Sequence, residues 1–445
     1  MFKIFANAWR VEDIRKKLLF IFLLLLIYRI GATIPLPGID MDMLYMAKHG
    51  YGDFQFDAVM TIFAMIMGGG LGSIFAMGIA PYITASIIMQ LMTYAWPKLS
   101  EMQKDGEGGR KKITQITRYL SVGLAAIQAG AMVFSYTNWP PGQLGWNLFR
   151  EGHQNLMVYA MATIAMMSGT IFIMWLAELL TEKGIGSGAS FLIFANILAS
   201  LPMGFMTFWN MAVGTSPMAW GFAQVILILL VFVAIMGFVV LVHEGERRIP
   251  VQHSRKAASG GGTNFGNNNS YIPLKVNIAG VMSIIFAVSL LQLPAQVAMF
   301  FPSAVDQPNN FIETVAHWLR MEGPFGAILY VVLIFVFTHF YTSFAVNPVE
   351  MAENLKKNGG FIPGVRPGKP TSDFIAVTVN RLSWIGAVFY SLIALVPIVL
   401  GWIMPEIGQL HFGGTTLLIV TGVALEFVKQ LESQLIMRNY KGFLD

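Results

Sequence analysis

No cysteine occurs anywhere in this sequence. Disulfides, thiolate metal sites and thiol nucleophiles are therefore excluded. Charge is scarce too: Asp, Glu, Lys and Arg make up 12% of the chain, where a soluble domain carries roughly 25%. The 7 histidines are scattered and form no HxxxH pair. No GxxxxGK[ST] phosphate-binding loop is present, so the chain hydrolyses no nucleotide by that route. What remains is apolar. Hydrophobic residues make up 55% of the 445 positions, and water cannot be the main solvent for such a chain. The bilayer must be.

A helix needs about 20 apolar residues to cross the hydrocarbon of a membrane. Ten segments qualify: 18–36, 74–96, 113–135, 156–180, 187–208, 219–242, 276–300, 325–346, 374–400 and 413–434. The first has a basic front, but no small-residue cleavage site follows it, so it reads as a span and not as a cleaved signal. The fold class expected is an all-α polytopic membrane protein.

Net charge is +5, and its placement matters more than its size. With ten spans both termini share one side. That side collects 22 of the 29 Lys and Arg, in the amino-terminal tail, the loops after spans two, four, six and eight, and the carboxy-terminal tail. The opposite side holds Lys48, Arg150 and Arg320. Basic residues stay in the cytoplasm, so this asymmetry puts both termini there.

Two cytoplasmic loops are long, 243–275 and 347–373. Long connections are commonly functional or disordered. The tip from Gly260 to Ser270 has the composition of a flexible linker. Phe361-Ile-Pro-Gly-Val-Arg-Pro-Gly368 instead reads as a bent turn that presents Arg366. Between spans one and two, residues 54–75 are apolar and Gly-rich but too broken to span. Such a segment must be buried in protein or line a cavity. Glu178, beside Glu182 and Lys183, reads as half of a helix-end salt bridge and not as a proton relay. Arg29 lies near a span end and can snorkel.

Seven motifs, in order over some 400 residues, resemble the SecY family of protein-conducting channels. They are Ile34-Pro-Leu-Pro-Gly-Ile-Asp40, the stretch from Ser73 to Ile88, Gly106 to Tyr119, and Trp175 to Gly188. Ile272 to Val281, Asn347 to Lys357 with Pro363 to Gly368, and Phe412 to Val420 complete the set. The resemblance implies two inverted five-helix halves, 1–208 and 209–445, around a central pore. No internal identity between the halves is visible in the sequence itself.

The resemblance also implies sites. A pore ring would comprise Ile83, Ile87, Ala189, Ile193, Ile285 and Ile419. An Ile on an apolar helix ordinarily touches lipid or another helix; the motif register is what singles these out. Such a ring grips no particular peptide and disfavours water and ions. Ala189 is smaller than the residue expected there, so the ring would be looser at that point. A plug would run from Thr61 through Met65, Gly68, Gly69 and Gly70 to Gly72. A lateral gate, spans two and three against spans seven and eight, would carry Thr84, Ser86, Gln128 and Asn277. Ordinary interhelical bonding would explain such polar residues equally well. Arg247, Arg248, Arg255, Lys256, Lys356, Lys357 and Arg366 would dock a motor or the ribosome. Topology alone accounts for most basic loop residues, but less well for Arg366 in its rigid turn.

The implied function is passage of unfolded secretory chains across the bacterial inner membrane, with sideways release of apolar segments into lipid. No cofactor and no enzymatic activity are implied. The implied partners are SecE and SecG in a heterotrimer, the SecA ATPase, the ribosome, signal sequences, nascent polypeptides and membrane lipids. A secondary transporter of a small solute would share the span count and the basic loops. It would also need paired ionisable groups at mid-membrane, and the sequence offers none. A structural membrane scaffold would leave the Gly-rich segment 61–72 without a purpose.

Overall fold

The computed structural model describes residues 8–40, 42, 72–137, 148–150, 152, 154–214, 218–253, 270–276, 278–298, 314–315, 318–319, 323–403 and 414–441. Within them the ten expected spans are ten long helices. They are α1 (Glu12–Gly31), α2 (Ala80–Ala95), α4 (Glu107–Thr137), α5 (Leu156–Lys183) and α6 (Gly188–Gly214) in the first half of the chain. The second half supplies α7 (Met218–Glu244), α8 (Met282–Ala298), α9 (Pro324–Ala345), α11 (Lys369–Ile403) and α12 (Gly414–Lys441). Two short helices, α3 (Pro97–Lys104) and α10 (Pro348–Lys357), lie in the connections. By length and sustained hydropathy, α4, α5, α7, α9 and α11 each qualify alone as membrane-crossing helices.

Prolines and glycines set several boundaries. Span two was expected from residue 74, but 74–79 are turns and the helix opens at Ala80. Gly78 there adopts φ +53°, a left-handed conformation that a regular helix cannot include. Pro81 then sits in the first turn, where its missing N–H costs nothing. Span seven likewise starts at Met282 and not at 276, after Gly280 with φ +61°. Pro97 ends α2, leaving Trp96 extended, and opens α3. In α10 the Asn347 side chain accepts from the Glu350 N–H at 3.4 Å, Pro348 follows the cap, and Lys356 and Lys357 occupy the last turn. Cap, proline and terminal charges all favour a helix at that place.

The burial pattern is that of a protein solvated by lipid. On α1, Ile14, Ile21, Leu24 and Tyr28 are buried, while Leu19, Phe22, Leu23, Leu26 and Ile30 are exposed. On α7, Ile228, Ile235 and Val239 face inward, and Ile226, Leu227, Leu230, Val233 and Leu241 face out. Helices apolar all round need hydrocarbon on the face that protein does not cover.

The main core collects side chains from α1, α2, α5, α6, α7, α8, α9, α11 and α12. A second core joins α4 and α5 to residues 36, 39, 76, 77, 148 and 149. A third was not expected. The two long loops, 243–275 and 347–373, fold together as an antiparallel sheet in the order β2–β1–β3, with β1 at Glu246–His253, β2 at Ser270–Lys275 and β3 at Gly360–Phe361. Ile249 pairs with Ile272, and Gln252 pairs with Phe361, which ties the first loop to the second. Ile249, Leu274 and Ile362 pack on Ile375, Val379 and Leu382 of α11. The Gly-rich tip at 260–269, expected to be mobile, lies outside the described residues.

Candidate pore and gate

The six expected ring positions come from four helices: Ile83 and Ile87 from α2, Ala189 and Ile193 from α6, Ile285 from α8 and Ile419 from α12. All belong to the main core. The five isoleucines are buried in it and Ala189, half-buried, packs against it. The i, i+4 spacing puts each pair on one helix face. A constriction lined this way offers no hydrogen-bond donor or acceptor to a passing chain or ion.

Of the expected plug, Thr61, Met65, Gly68, Gly69 and Gly70 lie outside the described residues. Gly72 does not. It adopts φ +71°, which only glycine takes readily. Its N–H donates to the Tyr136 hydroxyl at 3.4 Å, and its carbonyl accepts from the Leu36 N–H at 2.9 Å. Ile74 N–H donates to the Ile34 carbonyl at 3.1 Å, and Pro35 bridges Ser73. The two ends of segment 37–71 are thus brought side by side, next to Leu36, Ala76 and Met77 of the second core.

At the expected gate, α2 packs against α4, α8 against α9, and α8 meets both α2 and α4. Gln128 on α4 donates from Nε2 to Gln296 Oε1 on α8 at 2.6 Å, across the seam. Thr84 is buried. Ser86 does not reach across; its hydroxyl accepts from Gln90 Nε2 of its own helix at 3.2 Å. Asn277 lies outside the described residues. Gln296 was missed by sequence reasoning. Its signal was Gln292 and Gln296 spaced i, i+4 on an otherwise apolar helix, a polar pair that hydrocarbon alone does not favour. Nearer the end of α9, the Tyr94 ring meets Phe340 edge-on at 5.6 Å and joins α2 to α9.

Glu178 forms a helix-end salt bridge as expected, but with a different partner. Arg118 Nε on α4 lies 2.8 Å from Glu178 Oε1 on α5. Three-dimensional packing of α4 on α5 supplies an arginine that sequence neighbourhood could not.

Among the docking candidates, Arg247, Lys356, Lys357 and Arg366 are exposed. None of the four makes an ion pair among the described residues. Arg248 is engaged: its Nε is 2.7 Å from Glu246 Oε1, and its guanidinium lies 4.9 Å from the Tyr271 ring centroid. The hydrogen bond to Glu246 raises its pKa further above neutrality. Arg366 sits between Gly364 at φ +81° and Gly368 at φ +102°, and its carbonyl accepts from the Thr371 hydroxyl at 2.8 Å. Arg255 and Lys256 lie outside the described residues.

The profile of the SecY family matches residues 73–428. The chain is 41% identical, over the full length of both, to the protein translocase subunit SecY of Halalkalibacterium halodurans. It is 39% identical to that of Bacillus subtilis, again over the full length of both. Its fold matches a solved structure described as a protein conducting channel with TM-score 0.61, 19% identity, 93% of this chain and 90% of the other. A second match, with TM-score 0.59 and 18% identity over 93% and 90% of the two chains, is Sec61 in a canine ribosome–channel complex of the endoplasmic reticulum. A bundle of long apolar helices, matched end to end by these relatives, is a protein-conducting channel and not an enzyme or a solute transporter: the chain belongs to the SecY family of membrane-embedded protein translocase subunits.

Proposed function

We propose that secretory chains cross through the ring formed by Ile83, Ile87, Ala189, Ile193, Ile285 and Ile419. The observation that carries this is convergence: six positions from four helices, far apart in sequence, meet in one apolar cluster. In this reading residues 61–72 close the pore from outside and hinge where Gly72 and Ser73 are clamped to residues 34–36. Signal sequences and apolar segments leave through the seam of α2 and α4 with α8 and α9. The two halves, 1–208 and 209–445, part like a clam to open it.

The setting proposed is the bacterial inner membrane with both termini in the cytoplasm, supported by the charge asymmetry. The exposed Arg247, Lys356, Lys357 and Arg366 then form a docking face for the SecA ATPase or the ribosome. Phosphate attraction would serve the ribosome, and charge-assisted hydrogen bonds would serve the motor. SecE and SecG complete the channel. The test is to widen the ring: Ile87→Gly with Ile193→Gly in proteoliposomes. Ion leak during transit of a chain should rise severalfold. A leak unchanged from the parent would remove these residues from the ring.

A further inference from the structure

At the end of the seam where α2 meets α9 there is a cavity of about 180 Å³. Its walls are one face of α2 (Tyr82, Ser86, Met89, Gln90 and Thr93), Gln103 of α3, the first turns of α4 and Phe344 of α9. Phe344 lies one helical turn from Phe340, whose ring joins α9 to Tyr94. The cavity therefore opens beside the point where the two sides of the seam touch.

Its threonines and Gln90 turn acceptors toward it. The hydroxyls of Thr93, Thr114 and Thr117 donate to the carbonyls of Met89, Arg110 and Ile113, at 2.7, 3.0 and 2.9 Å. Their protons are committed, and only lone pairs remain for a ligand. Gln90 has spent an N–H on Ser86, and its Oε1 is buried with no hydrogen-bond partner among the described residues. No Asp, Glu, Lys or Arg among the described residues lines the cavity. The Tyr82 and Ser86 hydroxyls and the Gln103 amide can donate as well as accept, but the buried group left unpaired is an acceptor, so a ligand that brings N–H donors gains most there.

We propose that this cavity receives a lysine side chain from the basic segment that precedes the apolar core of a signal sequence. The inference rests on the gate and the orientation proposed above. Signal sequences place positive residues immediately before their apolar run, and the apolar run would lie along the seam. A lysine ammonium has three donors and no acceptor. Its methylene stem packs along Met89, Tyr82 and Phe344 while the head reaches Gln90 Oε1 and the threonine oxygens. The two aromatic rings add attraction for the cation. The site would read the start of a signal sequence by chemistry, whereas the seam reads the core by apolarity alone.

The test compares two secretory precursors, one with a single lysine before the apolar core and one with glutamine in its place. Both are presented to the assembled translocase in membrane vesicles. One charge-assisted hydrogen bond should favour initiation of the lysine precursor by about tenfold. In a channel carrying Gln90→Leu and Thr117→Val this preference should fall to about one, and Thr117→Ser, which keeps the acceptor, should retain it. An unchanged preference in the double variant overturns the proposal. Because the chain has no native cysteine, a second measurement is clean. Met89→Cys should form a disulfide with a cysteine placed beside the precursor's lysine, and Gln128→Cys with one in the apolar core. A core crosslink without the lysine-side crosslink overturns the cavity assignment and leaves the gate standing. Absence of both overturns the two together.

Discussion

Replacing Gln128 by leucine removes the hydrogen bond from its Nε2 to Gln296 Oε1 on the facing helix. Interhelical hydrogen bonds within membranes average about 0.6 kcal/mol, a factor of roughly 3 in a two-state population. The bond is short, which would raise its worth. Yet Gln128 Oε1 is itself buried without a partner among the described residues, so the leucine also removes an unsatisfied acceptor. The two effects oppose, and the low figure is the one to use. If the bond exists only while the seam is closed, Gln128→Leu should raise the open fraction about threefold. The assay is export of a precursor whose apolar core has been shortened until it barely opens the parent channel. Its rate should rise about threefold in Gln128→Leu, by the same factor in Gln296→Leu, and by no more in the double mutant. Multiplying effects in the double mutant would show that the two glutamines act apart and would refute the seam bond.

Three further outcomes are expected. Arg366→Glu should lower motor-driven export several-fold while leaving the protein folded, since the side chain is exposed and the turn is held through main-chain atoms, the Arg366 carbonyl accepting from the Thr371 hydroxyl and the Val365 N–H donating to the Ile362 carbonyl; unchanged export in a vesicle assay would remove Arg366 from the docking face. Gly169→Ala should lower the thermal midpoint in detergent, because its Cβ would collide with the Ile74 carbonyl oxygen, and overpacking of about 1–3 kcal/mol outweighs the helix propensity gained; a raised midpoint would contradict that packing. Ile375→Ala should cost about 2–5 kcal/mol where the sheet meets α11, read as faster amide exchange at Ile249 and Ile362; unaltered exchange would show that the loops are held without it.

The helices were legible because hydrocarbon imposes a length and a composition on anything that crosses it. All ten long helices lie where apolar runs were read. Two start late, after Gly78 and Gly280, where backbone conformation overrides hydropathy, while the helices Glu12–Gly31, Glu107–Thr137 and Gly414–Lys441 run past the apolar stretch into polar flanks that hydropathy does not mark. The sheet was not legible. Its strands are short, interrupted by Pro250 and Pro273, and separated by about 100 residues between β1 and β3, so neither periodicity nor spacing announced it. The proposed ring positions rest on resemblance: an isoleucine in an apolar helix carries no local mark of a pore. Arg118 beside Glu178 and Gln296 beside Gln128 are contacts between helices, and no single helix encodes its neighbour.

The central claim is that a polypeptide passes through the middle of this bundle. The chain's lack of cysteine allows it to be tested with one atom at a time. A cysteine at Ile83 should crosslink to the transiting segment of a stalled secretory precursor, and a cysteine at Ile226, exposed on the outer face of α7, should not. Crosslinking at Ile226 with none at Ile83, in channels that assemble normally, would contradict the account.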